Sequence, residues 1–162
     1  MKRIYSVLVE NRSGVLMKVA GLFSRRSYNI DSLAVGETEN SDVSCITVVS
    51  SGDNRTLEQI EKQLNKKLDV IKVKTFDEIH SVNLELMLVK VKYNRGNRRD
   101  IMENCDICGA KIVDMSNNQM IIQVCDTPER TAMFLKMLKG ISILEVARTG
   151  TLALPKCIES DI

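Results

Sequence analysis

From Ile4 to Glu10, Tyr5, Val7 and Val9 alternate with Ile4, Ser6 and Leu8, which predicts a strand. The period then changes. Val15, Val19, Leu22 and Phe23 recur at i, i+4, i+7 and i+8, the stripe of an amphipathic helix, with Ser13 placed to cap it. Arg25 and Arg26 fall in its last turn, where the helix dipole favours cations. Ile30 to Gly36 and Val43 to Ser50 read as strands around a polar hairpin, Glu37 to Asp42. Leu57, Ile60, Leu64 and Leu68 give a second helical stripe, and Val70 to Phe76 alternates again.

The same order then repeats at an offset of about 80 residues, with little sequence identity. Val82 to Tyr93 is a strand, and Ile101, Cys105 and Cys108 line a helix face. Lys111 to Met115 and Met120 to Cys125 are short strands. Thr127-Pro128-Glu129 opens a helix with a cap, a first-position proline and an acid favourable to the dipole. Phe134, Met137, Leu138 and Ile141 continue that face, Gly140 ends the helix, and Ile143 to Ala147 closes the series. The expected fold class is α+β: two tandem ferredoxin-like βαββαβ domains, each an antiparallel sheet with both helices on one face. The expected division is 1–76, a linker at 77–81, 82–155, and a tail at 156–162. One sheet face and the strand edges then need a cover, so the chain is expected to pair with a second copy. Gly21, inside the first helix, fits either a close helix–helix approach or packing on its own sheet.

With 162 residues the chain can hold two small cores. No apolar run approaches the roughly 20 residues of a membrane span, and Glu10 interrupts the N-terminus too early for a secretory signal. A cytoplasmic protein with no membrane partner is expected. Net charge is +2; residues 1–76 carry 12 Lys+Arg against 9 Asp+Glu, which leaves 11 against 12 for the rest. Neither part is a polycation, which argues against nucleic acid. Five cysteines at uneven spacing form no disulfide framework.

Two segments carry candidate chemistry: Glu10-Asn11-Arg12-Ser13-Gly14-Val15-Leu16 and Arg26-Ser27-Tyr28-Asn29-Ile30-Asp31. The first turn of a helix leaves amides without intrahelical partners and favours a carboxylate, and Gly14 lets a ligand approach the backbone. Asn11 can bond both poles of a zwitterion, while Asn29-Ile30 offers backbone groups and an apolar wall. If two subunits lay their helices side by side, the Asn11–Gly14 turn of one faces Asn29-Ile30 of the other. This set suits a free amino acid better than a reaction. The competing reading is a plain turn and cap.

Other signals are weaker. Cys105-Asp106-Ile107-Cys108 has metal spacing but no second pair, and it shares a helix face with Ile101, so small buried hydrophobes are expected. His80 has no matched nucleophile. Glu58 and Glu61 beside Lys62 and Lys66 read as a solvated helix surface. An RNA-binding module of the same topology would stack bases on strand aromatics, but the candidate strand Cys45-Ile46-Thr47-Val48-Val49 offers none, and Tyr5 and Phe76 lie on outer elements. A stand-alone enzyme would need convergent catalytic groups, and none is evident. A free-standing amino-acid sensor remains as an alternative.

Residues 1 to about 155 resemble the small, regulatory subunits of acetolactate synthase (acetohydroxyacid synthase). The N-terminal half carries the likeness through Ser6-Val7-Leu8-Val9-Glu10-Asn11, Gly21-Leu22-Phe23-Ser24-Arg25-Arg26, Tyr28-Asn29-Ile30-Asp31-Ser32-Leu33, Gln59 to Lys66 and Asp69 to Val73. Leu86 to Val91, Lys111-Ile112-Val113-Asp114 and Glu145 to Gly150 continue it. The resemblance implies an N-terminal ACT domain, followed by an ACT-like C-terminal domain. It implies a branched-chain amino acid effector, usually valine, at a homodimer interface, with Asn11, Gly14, Val15, Leu16, Asn29 and Ile30 as effector-binding residues. It also implies activation and feedback inhibition of a separate catalytic large subunit. That subunit, and not this chain, is expected to hold thiamine diphosphate, magnesium and FAD. The chain departs from the family pattern at Ser27, where glycine is usual, at Gly109, where arginine is common, and at Pro155-Lys156-Cys157.

Overall fold

The structure is a computed structural model that describes residues 1–77 and 79–157. Its elements run β1 (Lys2–Glu10), α1 (Val15–Arg25), β2 (Ser32–Glu37), β3 (Val43–Ser51), α2 (Asn54–Asn65), β4 (Val70–Phe76) and β5 (Ser81–Lys92). They continue with α3 (Arg98–Cys108), β6 (Lys111–Met115), β7 (Gln119–Asp126), α4 (Pro128–Met137), β8 (Ser142–Arg148) and β9 (Leu152–Pro155). One sheet has the order β2-β3-β1-β4, and the other β6-β7-β5-β8 with β9 also paired to β5. The strand pairs β1–β3, β1–β4, β2–β3, β5–β7, β5–β8 and β6–β7 are antiparallel. The repeat expected from the periodicity is present: the same βαββαβ order builds the same ferredoxin-like sheet twice.

In the first unit the alternation of β1 sorts its side chains. Tyr5, Val7 and Val9 join Val15, Val19, Leu22 and Phe23 of α1 and Leu57, Ile60 and Leu64 of α2 in one buried cluster. Each large apolar side chain so buried contributes about 1.5–3 kcal/mol. The Tyr5 hydroxyl, wholly buried, donates to the Leu57 carbonyl at 2.8 Å and so ties β1 to α2. Burial pushes the Tyr5 phenol up to about 12. No face of Tyr5 is left to stack on a base, which removes one of the two aromatics an RNA-binding surface would need. The second unit repeats the scheme with Met87, Val89, Val91, Ile101, Cys105, Cys108, Met120, Ile122, Val124, Phe134 and Leu138. Cys105 and Cys108 are packing residues here, as the helix face they share with Ile101 suggested. Cys108 Sγ lies 3.6 Å from Met137 Sδ, and burial pushes the Cys105 thiol up to about 11. Buried Glu85 accepts a hydrogen bond from the Thr131 hydroxyl and lies 3.7 Å from Arg148, which joins β5, α4 and β8.

Several expectations are corrected. Leu68 does not extend the α2 stripe: the helix ends at Asn65, a turn through Lys67 N to Leu64 O reverses the chain, and Leu68 is fully exposed. Ser13 does not cap α1; Gly14 occupies the cap position at φ +85°, so Ser13 stands one residue too early to reach the first-turn amides. Strand β2 begins at Ser32 rather than Ile30. Helix α4 ends at Met137, before Gly140, which sits in the following turn at φ +90°. The Thr127 cap is present, its hydroxyl accepting from Arg130 N.

The domain division also shifts. One compact unit comprises Met1–Asn83 together with the chain from Thr151 onward, and the other Leu84–Gly150. Within the stretch read as linker, Asp77 accepts from the backbone N–H groups of Ile79 and His80 and from the His80 ring. Those hydrogen bonds, the His80 backbone bond first, hold the Asp77 carboxyl below its usual range. Glu78 and, within the predicted tail, residues 158–162 lie outside the described residues. Strand β9 was not anticipated. Ala153 on β9 packs against Ile4, Val49 and Phe76, and Lys156 N donates to His80 O.

Candidate functional site

Glycine shapes the turn that opens α1. Arg12 N donates to Glu10 O, Val15 N donates to Arg12 O at 3.3 Å, and Gly14 between them takes a left-handed backbone that side chains disfavour. Among the described residues, the N–H groups of Gly14, Leu16 and Met17 find no acceptor within the chain. The Val15 side chain is buried in the core, so Val15 serves the crevice only as backbone. Leu16 is 42% exposed and can meet a ligand.

Asn11 is fastened to the β2–β3 hairpin. Its backbone N donates to Asp42 O at 2.8 Å; its side-chain Nδ2 donates to Glu37 Oε1 at 3.1 Å and to Ser41 O at 2.8 Å. Both amide hydrogens are therefore engaged, and the group left for a ligand is the oxygen. The sequence reading missed Glu37, which it placed in a polar hairpin. Its alternation with Val35 and Leu33 on the helix-facing side of β2 was the available signal, since Val35 pairs with core residue Ile46. Val35 is 47% exposed beside it on the same face.

The nearby cations are already paired. Arg12 lies 3.3 Å from Glu10, and Lys18 Nζ donates to Asp69 at 2.8 Å. The Lys18 hydrogen bond holds the Asp69 carboxyl below its usual range. Among the described residues Glu37 has no cationic partner.

Asn29 and Ile30 lie beyond the other end of α1. Asn29 Nδ2 donates to Asp31, and its carbonyl accepts from Ser50 Oγ at 2.6 Å. Asn29 is exposed, while Ile30 is half-buried against the core. Eleven residues of helix separate this pair from Gly14, about 16 Å at the usual rise. The structure thus brings Asn11, Gly14, Val15 and Leu16 together and leaves Asn29 and Ile30 apart from them within one chain. Among the described residues no group of three or more His, Cys, Asp or Glu side chains could hold a metal ion. No helix among them is long and apolar enough to cross a membrane.

Two family models divide the chain between them. The model described as an AHAS small subunit-like ACT domain matches residues 5–72, and the model for the small subunit of acetolactate synthase matches residues 84–157. The chain belongs to the acetolactate synthase small-subunit family. It is 44% identical over 154 residues to a probable acetolactate synthase small subunit of Archaeoglobus fulgidus, covering 95% of this chain and 96% of that one. It is 40% identical over 157 residues to the isozyme 3 small subunit of Salmonella typhimurium, covering 96% of each. A crystal structure of the acetolactate synthase small subunit from Thermotoga maritima superposes with a TM-score of 0.91 at 35% identity, covering 98% of this chain and 99% of that one. Small subunits of this family are parts of an enzyme with a separate catalytic subunit, and this chain is such a regulatory partner, with an ACT domain as its first unit.

Proposed function

We propose that the chain is a non-catalytic feedback sensor that binds a branched-chain amino acid, valine first among them, between two copies of itself. The effector carboxylate meets the free N–H groups at the start of α1, its polar end meets Asn11, and its side chain meets Leu16. Asn29 and Ile30 of a second copy complete the crevice. The observation that carries this reading is the pair of half-sites at opposite ends of α1, each exposed and incomplete alone. Antiparallel pairing of two α1 helices joins them twice. The exposed Leu16, Met17 and Val35 support such pairing, since they give α1 and the edge strand β2 an apolar margin to cover.

In this reading the effector shifts an equilibrium between subunit arrangements that activate or inhibit the catalytic large subunit; a coupling of about 1–3 kcal/mol is enough for strong feedback. Thiamine diphosphate, magnesium and FAD belong to that large subunit, and the complex works in the cytoplasm. The test is calorimetric titration of the purified chain with valine, leucine and isoleucine, beside sedimentation with and without effector. The expected result is saturable heat with at least one of the three, on a dimer. Absence of heat with all three would overturn the reading, as would pyruvate condensation by the chain alone.

A further inference from the structure

We propose that Glu37 is the ammonium ligand of this crevice and that it makes the site select an amino acid over the 2-oxo acid of the same carbon skeleton. The inference rests on the effector reading above and adds a residue to it. Asn11 Nδ2 spends its hydrogens on Glu37 Oε1 and Ser41 O, so toward a ligand Asn11 presents only an acceptor. Beside that acceptor stands a carboxylate with no cationic partner among the described residues. An acceptor and an anion together form a seat for a cationic donor. They repel the carbonyl oxygen that a 2-oxo acid carries in place of the ammonium group. The start of α1, with unbonded N–H groups at Gly14, Leu16 and Met17, supplies the opposite polarity for the carboxylate both molecules share. The two molecules then differ at one end only, and Glu37 lies at that end. A sensor so built reads the aminated product and ignores its unaminated precursor class. Val35, two residues earlier on the same face of β2, offers apolar surface for the shared side chain.

Glu37→Gln is the informative substitution because it removes the charge while keeping an oxygen to accept from Asn11. The full chain and the variant are each titrated calorimetrically with valine and with the 2-oxo acid of valine, with thermal melting as the check on folding. The parent is expected to bind valine at least tenfold more tightly than the 2-oxo acid. The variant is expected to lose at least tenfold in valine affinity while its 2-oxo acid affinity holds or rises, so that the ratio collapses. A purely structural role for Glu37 would weaken both ligands alike and leave the ratio unchanged; that result, or an unchanged valine affinity, overturns the proposal. A parent chain that binds no branched-chain amino acid overturns the effector reading itself and is distinguishable from either.

Discussion

The Arg25 side chain folds back across Gly21: its Nε donates to the Gly21 carbonyl at 3.3 Å, and a Cβ built on Gly21 would sit 3.6 Å from Nη2. That distance is ordinary contact, so nothing among the described residues requires glycine there. Gly21→Ala should stabilise the chain by up to about 1 kcal/mol, the helix-propensity difference. Denaturant unfolding at low protein concentration measures it. A loss of stability accompanied by a loss of dimer would instead show that a second helix approaches Gly21 closely.

Gly14 is the opposite case. Its φ of +85° favours glycine, yet no atom lies within 4 Å of a Cβ placed there. Gly14→Asp is expected to fold, at a cost of about 1–2 kcal/mol for the left-handed backbone, and to lose the effector response. Its carboxylate would occupy the amides that the effector carboxylate needs. Valine titration of the folded variant checks this; parental affinity would remove the α1 turn from the site.

Ser27 carries a cost that glycine would remove. It is the one non-glycine residue with positive φ among those described, at +55°. Where the family usually has glycine, this chain places a side chain on a left-handed backbone. Ser27→Gly should stabilise the fold by about 1 kcal/mol, read as a raised denaturation midpoint at unchanged slope. Because the turn leads into Asn29 and Ile30, effector affinity should be retained.

Tyr5 gives a pH signature. Its folded phenol titrates near 12, against 10 for the exposed group, because burial disfavours the phenolate. The unfolded chain therefore releases this proton first, and the unfolded state gains as pH rises between those values. Stability from Tyr5 is fully present below pH 10 and is lost through about pH 12. In Tyr5→Phe that part of the decline should disappear, while the Leu57 carbonyl left without its donor costs about 1–3 kcal/mol at neutral pH. Unfolding curves of both proteins across that window give the comparison.

Periodicity revealed most of the fold because each helix and strand buries one face, and burial leaves a repeat in the sequence. Thr127-Pro128 was legible as a helix start because a cap hydroxyl and a fixed proline φ act locally. Ser13 was misleading for the same reason: a capping residue type was present, but a glycine one step later took the cap position. Leu68 matched the stripe by spacing, although the helix had already ended. Strand β9 left no signal of its own, since four residues cannot show a period and their partners lie far back in the chain. At the site, Asn11 and Gly14 were readable from the turn they build. For Glu37 the alternation with Leu33 and Val35 marks only a face of β2, because its link to Asn11 crosses 26 positions and depends on β2 pairing with β3.

The return of the chain at Thr151 has a practical consequence. Because β9 packs on Ile4, Val49 and Phe76, the first unit is built from two separated stretches of sequence, and the second is an insertion in the chain of the first. A protease that nicks the backbone between Asn83 and Leu84 would leave two fragments still clasped by that last short strand. Splitting this protein into independent halves therefore requires excising the insert and rejoining the flanks, and a stop codon before residue 151 would injure the amino-terminal half as well.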